Sequence, residues 1–125
     1  MTTGLEGRCV LVVEDESLVA MLLEAMLEDM GCIVIGPAGT IEEALDLIAA
    51  ASALDAALLD VNVAGRVVFP IATALVERDI PFMFSTGFGA GNLPDEWRGR
   101  PAIQKPFTET AVRAALQSTL GISLA

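Results

Sequence analysis

The sequence predicts an α/β fold, a parallel sheet covered by helices on both faces. Three observations predict it. Five short apolar runs alternate with helical patterns along the chain. The runs are unbroken rather than alternating in polarity, as strands covered on both faces are. Acids, hydroxyls and a lysine stand at the ends of these runs, where such sheets place their ligand sites.

The strands are taken in order. Cys-Val-Leu-Val-Val at residues 9–13 is rich in β-branched residues and runs into acids. Residues 32–35 (Cys-Ile-Val-Ile), 56–59 (Ala-Ala-Leu-Leu) and 82–84 (Phe-Met-Phe) follow, and Ala102-Ile103 is a weak fifth run. Between them lie helices with readable ends. Ser17 caps a first helix whose apolar stripe is Leu18, Met21, Leu22, Ala25 and Met26, and Gly31 stops it. Thr40-Ile-Glu-Glu43 reads as a capping box ahead of Ala44, Leu45 and Ile48. A third helix is expected over residues 68–78, with Pro70 tolerated only in its first turn. Thr108 caps a last helix with Ala111, Val112, Ala115, Leu116 and Thr119 inside, ended by Gly121. Residues 87–100 hold four glycines and Pro94, so only a short helix near residues 95–97 is expected, after a mobile loop.

The pattern is (βα)5 with a short or mobile fourth helix. Right-handed crossovers make it a doubly wound parallel sheet, expected in the flavodoxin-like order 2-1-3-4-5. Its ligand crevice then lies between strands one and three.

Composition narrows the function. A chain of 125 residues fits one domain, residues 1–125, with its core at about 8–120. At 54% hydrophobic and 19% charged it is not a disordered segment. The uncharged stretch at 67–76 is about half a membrane span and contains Pro70. The N-terminus lacks the features of a signal peptide, so the expected location is cytoplasmic and off the membrane. A net charge of −10 repels nucleic acid. With no histidine, Ser-His-Asp and Cys-His chemistry is excluded. Cys9 and Cys32 read as buried free thiols of a reducing compartment.

The chemistry concentrates at the carboxyl ends of the strands. Strand one runs into Glu14-Asp15, strand three into Asp60, strand four into Ser85-Thr86, and strand five into Lys105-Pro106. Two like charges at about 4 Å cost roughly 4 kcal/mol at an effective dielectric of about 20, so some acids protonate or a cation binds. Clustered hard oxygens suit magnesium, and the backbone carbonyl of Asn62 could complete the set. Lys105 is the lone lysine beside six arginines, and its compact ammonium suits a single phosphate oxygen. Taken one at a time, these residues read more readily as helix-start acids, a turn aspartate and a strand exit; their coincidence at one rim favours a site.

Together these residues resemble the receiver domain of two-component response regulators. Leu11-Val-Val-Glu-Asp-Glu16, Leu58-Leu-Asp60, Phe84-Ser-Thr-Gly87 and Lys105-Pro-Phe107 fall in that family's order and spacing, over residues 8–120. The resemblance implies that Asp60 is the phosphoacceptor, that Glu14, Asp15, Asp60 and the Asn62 carbonyl hold Mg2+, and that Thr86 and Lys105 contact the phosphoryl group. The implied partners are a histidine kinase or phosphotransfer protein and a downstream protein target. The implied role is signalling or draining phosphate from a kinase, not enzymatic turnover.

Three positions depart from the family pattern. Residues 61–65 (Val-Asn-Val-Ala-Gly) replace the usual Met-Pro, Ala102 stands where an aromatic switch residue is common, and Phe84-Ser-Thr-Gly-Phe-Gly89 is similar to the Phe-Ala-Thr-Gly-hydrophobic-Tyr signature of stand-alone alphaproteobacterial receivers. The loop at residues 87–92 is then expected to carry the switch. With the last helix ending near the end of the chain, output is expected through protein contacts at residues 87–100 and that helix, with Trp97 either an anchor there or a half-buried packing residue. The rivals are a small aspartate-nucleophile phosphatase of haloacid dehalogenase type and a receiver that binds without phosphorylation. The first would place Asp-x-Asp on strand one, whereas here Asp60-Val-Asn62 follows strand three. Gly87-Phe-Gly-Ala-Gly91 fails as a dinucleotide loop, because Asn92 stands where the last glycine belongs.

Overall fold

The computed structural model describes residues 3–87 and 93–122. Five parallel strands form the sheet: β1 (Cys9–Val13), β2 (Ile33–Ala38), β3 (Ala56–Asp60), β6 (Phe82–Thr86) and β7 (Ala102–Gln104). Their order is β2-β1-β3-β6-β7, which among the parallel strands alone is the predicted 2-1-3-4-5. The helices are α1 (Ser17–Asp29), α2 (Ile41–Ala50), α3 (Phe69–Glu77) and α4 (Glu109–Thr119).

The period of two along each strand sorts side chains onto two cores. Leu11, Val13, Ala57, Leu59, Phe82 and Phe84 face α2 and α3, while Val10, Val12, Ala56, Leu58, Met83 and Ile103 face α1 and α4. Both faces are covered, hence the unbroken apolar runs.

Several local expectations hold. Thr40 accepts a hydrogen bond from the Glu43 N–H and Thr108 from the Ala111 N–H, each capping its helix. Pro70 sits in the first turn of α3. Residues 95–97 form one turn of 3₁₀ helix (Asp95–Trp97). Of the loop expected to carry the switch, residues 87–92, all but Gly87 lie outside the described residues. Cys9 and Cys32 are both free, the first half-buried and the second buried.

Other expectations are corrected. Ser17 does not cap α1; Glu16 occupies that position and makes no side-chain cap. Most of the stripe expected to face the core points outward: Leu18 is 81% exposed and Met21, Leu22 and Ala25 are exposed, while Met26 packs partly against the core and Ala20, Leu23 and Leu27 are buried. This helix is apolar nearly all round, so its period allows two faces and only packing selects one. In α4, Ala111 is exposed and Gln117 is buried, donating its side-chain N–H to the Thr3 carbonyl. Strand β2 runs past its apolar residues through Gly36, at φ +95°, where a Cβ would lie 2.8 Å from Ala38 N and 3.0 Å from Val12 O. Finally, residues 61–68 are not a plain loop. They contain a two-stranded antiparallel hairpin, β4 (Asn62–Val63) and β5 (Arg66–Val67).

Trp97 is 7% exposed and is a core residue rather than a surface anchor. Its ring stacks on Phe69 at 6.1 Å and meets Phe82 and Phe84 edge-on at 5.8 and 6.5 Å. Among the described residues, no helix is long and apolar enough to cross a membrane.

Candidate functional site

Parallel register brings the chemistry together. Val13 pairs with Leu59, Asp60 with Ser85, and Thr86 with Gln104, so the four strand ends stop within about two residues of one level. Glu14-Asp15 and Lys105 extend β1 and β7 by one or two residues to the same rim. Between them opens a cavity of about 360 Å³ lined by Asp15, Glu16, Asp60, Asn62, Thr86 and Lys105, among others.

The sequence-predicted residues meet in this mouth. Glu14, Asp15 and Asp60 each offer a carboxylate oxygen, all within 4.8 Å of one another. Lys105 Nζ lies 3.2 Å from Asp60 Oδ2 and 3.0 Å from Glu14 Oε1. Asp60 is 7% exposed and Thr86 5%, both closing ends of their strands. Asn62 lies at the rim, and its N–H donates to Asp60 Oδ1 at 3.3 Å.

Burial sets the electrostatics. Glu14 is 3% exposed, and loss of water raises its carboxyl pKa above the usual 4.5; Asp60 adds to this and Lys105 opposes it. For Lys105 burial pulls the pKa down, but the Glu14 and Asp60 carboxylates outweigh it, so the ammonium ends above its usual 10.5. Three carboxylates around one ammonium leave an excess of negative charge. Glu14 Oε1, close to Lys105 as it is, has no well-formed hydrogen bond among the described residues, a cost that a cation would relieve. An all-oxygen, anionic, partly open set of this kind fits Mg2+.

Comparison with known proteins follows this geometry. No protein-family model matches the chain. Over 115 residues it is 34% identical to the phyllosphere-induced regulator PhyR of Methylorubrum extorquens, covering 89% of this chain but 43% of that protein. The chain thus spans less than half the length of this curated relative. The solution structure of SdrG from Sphingomonas melonis Fr1 matches with a TM-score of 0.82 and 40% identity, over 96% of this chain and 99% of that one. The PhyR response-regulator receiver domain of Erythrobacter litoralis matches with a TM-score of 0.80 and 26% identity, over 98% and 96% of the two chains. The chain belongs to the response-regulator receiver domains.

The receiver assignment selects the signalling reading over the haloacid-dehalogenase alternative. It also exposes what sequence reasoning missed in this receiver. Glu16 reaches toward the shared lysine, with Oε1 3.9 Å from Lys105 Nζ. Its adjacency to Asp15 was a signal, read only as a helix start. Ser85, fully buried beside Asp60, has no hydrogen-bond partner for its hydroxyl among the described residues. The backbone N–H of Ala64 donates to Asp15 Oδ2 at 3.1 Å, a contact across 49 residues that no sequence period announces.

Proposed function

We propose that this receiver domain, a single unit with its core at about residues 8–120, accepts a phosphoryl group on Asp60 from a phosphohistidine and then signals through protein contacts in the cytoplasm. The observation that carries this reading is Asp60 itself. It is a nearly buried carboxylate at the floor of an open cavity, with an ammonium 3.2 Å away and two further carboxylates within 4.8 Å.

In the transfer, an Asp60 oxygen attacks phosphorus, the phosphorus–nitrogen bond breaks, and the donor imidazole leaves as a neutral ring after protonation. Asp60 is positioned by its strand and by the Asn62 N–H, so little ordering remains for the moment of attack. Lys105 pairs with a phosphoryl oxygen and the Thr86 hydroxyl donates to another. Glu14, Asp15, Asp60 and the Asn62 carbonyl would hold Mg2+, which when bound supplies positive charge at the phosphoryl oxygens.

The donor must be another molecule, since the chain has no histidine. An apolar groove running from Lys105 and Phe107 to Val19 and Leu22 joins the mouth to the exposed face of α1. That continuity suits a kinase or phosphotransfer protein that brings its phosphohistidine over the rim. Downstream, a protein target is supported by the PhyR of Bartonella quintana, described as an anti-anti-sigma factor, which is 29% identical to this chain over 48% of its own length.

The test is labelling with acetyl phosphate and Mg2+. Intact mass should show one phosphoryl group on the wild type and none on Asp60→Asn. Equal labelling of both would remove Asp60 from this role.

A further inference from the structure

The hairpin at residues 62–67 has no counterpart in the sequence-based expectations, and its tip reaches the site. Ala64 and Gly65, at φ +52° and +78°, are its two central residues, and Val63 pairs with Arg66 across them. Positive φ at both positions is the requirement of a type I′ turn, whose twist suits a two-residue hairpin. Alanine rarely adopts such a φ, so the surroundings hold it there. Val63, beside the turn, is fully buried, and Arg66 across from it forms an ion pair with Glu42 in the first turn of α2. The hairpin is thus fastened on both sides of its turn, and its tip donates the Ala64 N–H to Asp15 Oδ2.

The three carboxylates differ in what steadies them. Glu14 and Asp60 are buried and contact Lys105. Asp15 is exposed and lies past the end of β1. An exposed carboxylate samples several rotamers, and a cation that needs one of them loses affinity.

We propose that the β4–β5 hairpin is a positioning element for the cation site, fixing the Asp15 carboxylate through the Ala64 N–H and so setting Mg2+ affinity. This inference rests on the proposed phosphoacceptor reading. Gly65 is the position to change. A Cβ there meets nothing within 4 Å, so Gly65→Val acts first through the strain of a β-branched residue at φ +78°. Loss of a group that orients a metal ligand weakens affinity by about tenfold or more.

The experiment titrates Mg2+ into wild type and Gly65→Val by calorimetry, and measures acetyl phosphate labelling against Mg2+ concentration. The expected result is a half-saturating Mg2+ concentration raised roughly tenfold, with labelling at saturating Mg2+ near the wild-type level. Arg66→Glu is a second variant should Gly65→Val not fold. It should weaken Mg2+ binding by a smaller factor, and adding Glu42→Arg should restore it. Unchanged half-saturation in a folded Gly65→Val, or a loss confined to the saturating rate, would overturn the hairpin's role alone. Wild type that takes up no Mg2+ would overturn both this role and the reading of the site.

Discussion

Strand β6 runs through two regions of opposite chemistry. Phe82 and Phe84 belong to an aromatic layer with Phe69 and Trp97, whereas Ser85 and Thr86 help close the acidic mouth. Phe82, Phe84 and Trp97 are buried to a similar degree as Glu14 and Asp60 of the mouth, yet burial acts on the two groups with opposite sign. Removing the aromatic rings from water stabilises the fold by about 1.5–3 kcal/mol per side chain. Removing Glu14 from water destabilises it, because its charge loses hydration that Lys105 restores only in part. The lesson is that the layer beneath the mouth holds in place a cluster that would not assemble by its own interactions.

The comparison breaks most severely at Phe84, which is fully buried. Phe84→Ala should cost about 3–5 kcal/mol, through lost burial and the cavity left against Phe69 and Trp97. Urea unfolding with a midpoint near wild type would show that the aromatic layer is not the support described.

The opposite sign is expected at Glu14. A raised carboxyl pKa means that the folded chain binds this proton more tightly than the unfolded chain does. Stability from this group is therefore complete below the usual 4.5 and is lost as pH rises through the raised folded value. Without divalent cations, Glu14→Gln should be more stable than wild type at pH 8 by roughly 1 kcal/mol, about 4 °C in a thermal melt. That advantage should shrink as pH falls toward 4.5. A difference independent of pH would separate the effect from titration of Glu14.

The smallest effect is expected outside both regions, on the exposed face of α1. Leu18 is 81% exposed, so Leu18→Ser should change stability by no more than about 0.5 kcal/mol. Acetyl phosphate labelling should be unaltered, while transfer from a histidine kinase should slow. Equal slowing with both donors would place the defect in the mouth rather than in docking.

Local signals in the chain were sufficient for the caps at Thr40 and Thr108 and for the five strands, because each depends on neighbours a few residues apart, while the strand order came with the flavodoxin-like fold class. They also named the residues that converge in the mouth, since register places strand ends together once the order is known. Which face of α1 turns inward was not legible: Leu18-Val-Ala-Met-Leu-Leu23 is apolar on every side, and only the fit against β1 and β2 chose Ala20, Leu23 and Leu27. The burial of Trp97 and the grip of Ala64 on Asp15 likewise join segments far apart in the chain. Such contacts depend on packing and on backbone groups that every residue carries, so no residue type announces them, and they form only when the whole chain has folded.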